Sequence, residues 1–261
     1  MSKYGLKVKW LSVASFELEK DGHHIVTDPF FTLSPNSPCT LDNVEGCELI
    51  TLSHVHWDHI PDIPALMDKF PDAPLLCGEL SAVPLCEWGN LIPQNVWPCE
   101  SNLELDFDWV KVKALFGRHV AFNKKYSELE TSLRRQPFCD KAMGDMQNIG
   151  TMEYRNFLFT FPDGLKVLVW GNEFTPVQIN MIKALQPDIA IVQSTRQLKE
   201  LPGFAKFIHE AGAKVVIPHH MDLARPYEEY IPQLKEAAEA IKAVSPYVDF
   251  VLPEYGKFVE V

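Results

Sequence analysis

The chain has no Cys-x-x-Cys pair, no internal repeat and no low-complexity tract. Its six cysteines (Cys39, Cys47, Cys77, Cys86, Cys99 and Cys139) are scattered. That spacing speaks against a cysteine metal site and reads as scattered thiols in a reducing compartment ahead of a disulfide framework. No apolar run reaches the roughly 18 residues of a membrane span. Positive charge is also scarce: 24 Lys and Arg stand against 35 Asp and Glu, a net charge of −11. Such a balance speaks against a nucleic-acid backbone or an anionic membrane as the main partner. It leaves room for one small anionic substrate held by a local basic spot. The opening stretch MSKYGLKVKWLSV lacks the apolar segment of a secretory signal, so the expected location is cytoplasmic.

What is present is ordinary globular material: 261 residues, 46% hydrophobic and 23% charged. This length suits one large domain or two small ones and buries enough surface to need no staples. Strand patterns dominate the first third, with KVKWLS (7–12), SFELE (15–19), HIVTD (24–28) and ELITLS (48–53). A turn at Lys20-Asp21-Gly22 joins two of them. Ile63, Leu66, Met67 and Phe70 recur at helical spacing, with Pro61 and Pro64 near the start. WVKVKALF (109–116) alternates like a strand. The second half reads as strand 165–171, helix 177–185, strand 188–193, helix 203–211, strand 214–218 and a long helix near 227–244. Terminal strands are expected near 248–252 and 257–261. Strands alternating with helices predict an α/β layered protein. Residues 121–155 fit neither pattern and read as an insertion, partly helical, within a single domain spanning 1–261.

Residues 51–60 read TLSHVHWDHI, so three of the chain's nine histidines and one aspartate fall within six positions. A polar cluster directly after an apolar strand is poor core material and good metal-binding material. In an extended loop His54 and His56 point the same way and can grip one ion; Asp58 and His59, one step on, can reach a second beside it. Imidazole and carboxylate suit zinc, manganese or iron. Other candidates also follow strands: His119, Asn172 with Glu173, and His219 with His220. Ligands in open α/β sheets collect beyond the carboxyl ends of strands, so these loops can meet at one pole. Trp57, Phe122 and Tyr126 are of a kind to wall a pocket or pack a lid. Arg118, Lys124, Lys125, Arg134 and Arg135 form either a solvated face or a phosphate grip over that pole.

The run His54-Val55-His56-Trp57-Asp58-His59 resembles the H-x-H-x-D-H motif of metallo-β-lactamase-fold hydrolases. The likeness extends through IVTDPFF (25–31), DGLKVLVWGNEF (163–174) and AKVVIPHHMD (213–222). It is nearest to the branch containing L-ascorbate-6-phosphate lactonase and N-acyl-phosphatidylethanolamine phospholipase D. Where other branches carry a T-P-G-H-type loop, this chain has LFGRHVAF (115–122). The resemblance implies an αββα sandwich. It implies one ion held by His54, His56 and His119, and another held by Asp58, His59 and His220, the latter preferred over His219. Asp28 is then expected to orient a ligand from behind.

One position departs from that pattern. The family's bridging aspartate falls on Asn172, a neutral amide that weakens the second ion. Asn172 ligates through its carbonyl alone, Glu173 substitutes for it, or the site works with one ion. An introduced Asp→Asn change is a fourth reading.

The expected activity is that of a metal-dependent hydrolase in which a metal-bound hydroxide attacks a small ester-like substrate: a lactone, a phosphodiester or a cyclic phosphate, phosphorylated or not. Asp58 is the expected catalytic residue, orienting the water or accepting its proton. Arg118, Lys124 and Trp57 are candidate substrate contacts. The cofactor is one or two divalent ions, zinc or manganese first and iron third. A degenerate metal-binding or sensing module without turnover is the non-enzyme alternative. A ribonuclease Z-like nuclease fits the acidic balance poorly, and a flavin-linked diiron role fits poorly because His56 stands where a Glu is usual. No nucleic-acid partner is expected, and a homo-oligomer is left open.

Overall fold

The β-branched and aromatic runs of the first third form a meander. In the computed structural model, which describes residues 3–117, 119, 138–171, 176–194 and 197–261, strands β1 (Leu6–Ser12), β2 (Ser15–Lys20) and β3 (His23–Thr27) pair antiparallel. Asp21 and Gly22 both take positive φ (54° and 86°) between β2 and β3, the twist that suits a tight hairpin. β4 (Leu49–Thr51), β5 (Leu75–Gly78) and β6 (Val96–Cys99) then add in parallel. Helices α1 (Ile63–Lys69) and α2 (Glu79–Gly89) make the crossovers.

A second sheet begins with the antiparallel strands β7 (Glu104–Asp106) and β8 (Lys111–Gly117). Helix α3 (Lys141–Met152) leads into β9 (Tyr154–Thr160), which pairs with both β8 and β10 (Lys166–Trp170). Parallel addition follows through α4 (Pro176–Leu185), β11 (Ile189–Gln193), α5 (Leu201–Ala211), β12 (Val215–His219), α6 (Ile231–Val244) and β13 (Asp249–Phe250). The last strand, β14 (Phe258–Glu260), returns to the first sheet beside β1. The two sheets run β14-β1-β2-β3-β4-β5-β6 and β13-β12-β11-β10-β9-β8-β7.

Alternation along each strand divides the core into layers. Ile25, Leu49, Phe157, Val167, Ile191 and Ile217 face between the sheets. Val26 and Ile50 face outward toward α1, α2 and α3, where Leu66, Leu85, Met143 and Met146 cover them. Leu168, Trp170, Val192 and Val216 face outward toward α4, α5 and α6. Each central strand is therefore apolar on both sides, as buried parallel strands are. The architecture is the αββα sandwich that the motif pattern implies.

Five elements, β5, α2, β6, β7 and β9, differ from the sequence reading. β5, α2 and β6 occupy residues 75–99, where no element is legible. α2 carries Pro84 inside it and shows little amphipathic contrast. β9 starts at Tyr154, so the final residues of the 121–155 stretch belong to the second sheet, with Arg155 and Asn156 buried. Glu153, between α3 and β9, accepts from Leu80 N, Ser81 N and Ser81 Oγ at 3.1, 3.0 and 2.8 Å. It thus caps the first turn of α2 from outside and ties α3 to it.

Candidate metal centre

The carboxyl ends of β3, β4, β8 and β12 lie at one pole. Asp28 follows β3 and donates its N–H to Thr51 O on β4 (2.9 Å). Beyond β4 the chain enters the loop 52–59. His119 follows β8, and His220 follows β12. Three non-glycine residues here take positive φ: Val13 at 40°, Asp28 at 39° and His220 at 66°. For a β-branched valine this is a costly conformation, and strain of this kind collects at sites whose surroundings hold it in place.

Two groups of donor atoms result. His54, His56 and His119 offer one set and Asp58, His59 and His220 the other, with the donor atoms of each set within 4.8 Å of one another. The groups adjoin, since the His54 and His59 rings lie 4.1 Å apart between centroids. In the second group Asp58 Oδ2 is 3.3 Å from His220 Nε2 and 3.8 Å from His59 Nε2. His54, His56, Asp58 and His59 are buried, and His119 and His220 partly so.

The hydrogen bonds behind the rings decide which lone pairs face inward. Ser53 Oγ donates to Asp28 Oδ2 (2.7 Å), and Ser53 N donates to Asp28 Oδ1 (2.6 Å). The hydroxyl proton is thereby committed, so His54 Nδ1–H, at 2.9 Å, donates to Ser53 Oγ. His54 Nε2 then keeps its lone pair, and it is buried with no hydrogen-bond partner among the described residues. His59 Nδ1 lies 3.0 Å from Asp28 Oδ2, so one carboxylate backs a ring in each group.

Burial holds His54 well below the usual histidine range, and crowding by His59, His56 and His119 adds to it. Burial likewise pushes His56 down to about 4. Burial opposes ionisation of Asp58, yet His59, His220 and His56 hold it below the usual carboxylate range. Burial also opposes a charge on His59, but the carboxylates of Asp58 and Asp28 raise it. The result is a knot of five imidazoles and one carboxylate, in which burial keeps His54 and His56 neutral. Such a donor set, with an orphaned buried nitrogen, fits divalent metal ions that favour nitrogen and oxygen ligands.

His219 and His220 part company. His219 Nε2 donates to Trp170 O at 3.0 Å and is not in either group. His220 turns the other way, its N–H donating to Val13 O (2.7 Å). Two residues on, the fully buried Asp222 accepts from Ser12 Oγ (2.6 Å), Val13 N (2.9 Å) and Tyr255 Oη (2.9 Å). Asp222 therefore clamps the His220 loop onto the β1–β2 turn. Sequence reasoning missed Asp222, Ser53 and the face of α3 behind His56. The clearest available signal was the Asp that closes PHHMD. Trp57 packs edge-on against Phe30 (5.7 Å) and beside Phe138 (5.7 Å), forming an aromatic wall next to Asp58. Arg118, Lys124, Asn172 and Glu173 lie outside the described residues.

The pattern of the beta-lactamase superfamily domain matches residues 7–220. The chain belongs to the beta-lactamase superfamily. A UPF0173 metal-dependent hydrolase of Sulfurisphaera tokodaii is 34% identical over 112 residues, 41% of this chain and 47% of that one. The match thus spans less than half of that relative's length. Igni18, described as a novel metallo hydrolase from Ignicoccus hospitalis, superposes with a TM-score of 0.69 at 17% identity, covering 97% of both chains. The metallo-beta-lactamase fold protein YhfI from Bacillus subtilis superposes with a TM-score of 0.61 at 12% identity, covering 98% of this chain and 99% of that one. At these identities the likeness speaks to the fold, and the fold is that of the metallo-beta-lactamases within the superfamily.

Proposed function

We propose that the protein is a metal-dependent hydrolase acting on a small ester-like substrate. The observation that carries this reading is the pair of adjoining donor groups, His54-His56-His119 and Asp58-His59-His220, at the strand-end pole of a superfamily member. Zinc or manganese is the expected metal, with iron third, and one or two ions bind depending on Asn172 and Glu173. When bound, the ions polarise the scissile group and make a water acidic enough to attack at neutral pH. Asp58 holds the water in line through one carboxylate oxygen and takes its proton as the new C–O or P–O bond forms. Asp58 would then pass that proton to the leaving alkoxide oxygen as the ester bond breaks. Asp28, through Ser53, keeps the His54 proton on Nδ1. Trp57, with Phe30 and Phe138 behind it, excludes water on the Asp58 side.

Within that activity the substrate we favour is a lactone, a phosphodiester or a cyclic phosphate, as in the L-ascorbate-6-phosphate lactonase-like branch. Arg118 and Lys124 are the proposed grip for a phosphate. The favoured location is the cytoplasm. The neutral Asn172, where the family pattern has an aspartate, favours a second reading: a metal-binding module without turnover.

Elemental analysis of protein purified without chelators, followed by a panel of lactones, phosphodiesters and cyclic phosphates, tests both. One to two ions per chain with turnover on any panel member is the expected result. Metal without turnover on the whole panel supports the module. No metal, even after zinc and manganese are supplied, overturns both.

A further inference from the structure

Helix α3 lies at the end of the stretch that reads as an insertion, yet it forms the wall behind His56. His56 Nε2 is 3.1 Å from Gln147 O and 3.1 Å from Thr151 Oγ1. Thr151 Oγ1 donates its own proton to Gln147 O (2.9 Å). Both atoms facing the ring nitrogen are therefore acceptors, and His56 Nε2 must carry the ring proton. The lone pair is left on Nδ1.

The helix and the loop are stitched together around this contact. The buried Gln147 side chain accepts from Trp57 N (3.2 Å) and donates to Met143 O (2.8 Å). A Cβ at Gly150 would stand 2.6 Å from His56 Cδ2 and 3.1 Å from His56 N, so only glycine lets the helix come this close. One residue past the helix, Glu153 is locked to α2, which fixes the rotation of α3 about its axis.

We propose that Thr151 and the Gln147 carbonyl are the positioning groups of the first donor set, fixing the His56 tautomer so that Nδ1 is presented to the ion. This rests on the metal reading of the site above. The segment of chain before β9 is then part of the metal scaffold. Removing such a supporting partner costs metal affinity about 10- to 100-fold.

The test uses cobalt(II) as probe on the full chain. Thr151→Val should weaken cobalt binding about tenfold or more, measured by chelator competition, and alter the visible cobalt spectrum. Thr151→Ser, which keeps the hydroxyl, should restore both. A long-range 1H–15N spectrum of the metal-free wild type should place the His56 proton on Nε2, and this reading does not depend on any variant folding. A proton on Nδ1, or a Thr151→Val protein that binds cobalt as tightly as wild type with the same spectrum, overturns the inference and leaves the metal reading intact. A wild type that binds no cobalt, zinc or manganese overturns the metal reading itself.

Discussion

The two halves of the site are built differently. His54, His56 and His119 form an all-imidazole set, two of them buried and donating hydrogen bonds to Ser53 and to α3. Asp58, His59 and His220 include the only carboxylate in either set, and His220 sits on a left-handed backbone position held through Val13 and Asp222. The first set is supported by packing of regular elements. The second depends on a strained loop and one clamp. The difference teaches where such a centre is robust and where it is fragile: the ion held by the second set should be the first lost and the easiest to tune.

The sharpest way to break this contrast is Asp58→Asn. It removes the only carboxylate in either set and the proposed base, so turnover on any responsive substrate should fall by about 10²- to 10⁴-fold. Ion stoichiometry should drop toward one, because the first set is untouched. Retention of full turnover would remove Asp58 from the mechanism.

Asp222→Ala should come next. It leaves Ser12 Oγ, Val13 N and Tyr255 Oη without their buried acceptor, at a cost of about 3 kcal/mol or more in urea unfolding. Cobalt titration of the folded fraction should show the second ion weakened and the first nearly unchanged. Equal weakening of both would mean that the clamp serves the whole pole.

Acid sharpens the comparison without mutation. His56 is held near 4 and His219 near 3 by burial, below their unfolded value near 6.5. Unfolding therefore takes up protons between about pH 6.5 and 3, and the metal-free protein should lose stability as pH falls through that window. For His56 alone the loss is on the order of 3 kcal/mol. His59 runs the other way. Its raised pKa contributes stability fully below its unfolded value, lost as pH rises through the folded one. Proton competition should consequently displace the ion from the Asp58-His59-His220 set at a higher pH than from the first set. Stoichiometry measured across pH 7 to 4 checks the order, and simultaneous loss would contradict it.

The smallest expected effect is a gain. Asn172→Asp adds a negative charge where the family pattern places its bridging residue, and should tighten the weaker ion about tenfold. Chelator competition on this variant and the wild type reads it directly. No change would imply that residue 172 does not reach the ions.

The candidate donors were legible because their signals are local. His54, His56, Asp58 and His59 lie within six positions of the sequence, and His119 and His220 stand at strand ends, so the candidate donors could be picked out before they were seen together. The support was far less legible. Gln147, Gly150 and Thr151 meet His56 across more than 90 residues of chain. The buried face of α3 is Met143, Met146, Gln147 and Gly150, a mixture with no clear apolar stripe, so the stretch read as partly helical but neither the helix's bounds nor its target could be read from period. β9 was obscured in the same way, because its buried Arg155 and Asn156 look like loop residues until their partners are known. Arg155 donates to Cys99 O, and Asn156 accepts from Gly171 N.

The histidine pair at the end of β12 marks the boundary between the two kinds of knowledge. Sequence alone determined that two imidazoles would stand at the end of a buried strand, because the apolar run ends at Ile217-Pro218 and the polar residues begin there. It determined the alternation that builds the layers, because side chains on a strand point to opposite faces whatever surrounds them. Only the tertiary structure decided which histidine joins Asp58 and His59. The backbone turns left-handed at His220, held by Val13 O from the other sheet. That bond sends His219 to the Trp170 carbonyl and His220 to Asp58. Such a turn costs energy that no neighbouring residue in the sequence can offset, so it exists only once both sheets are in place.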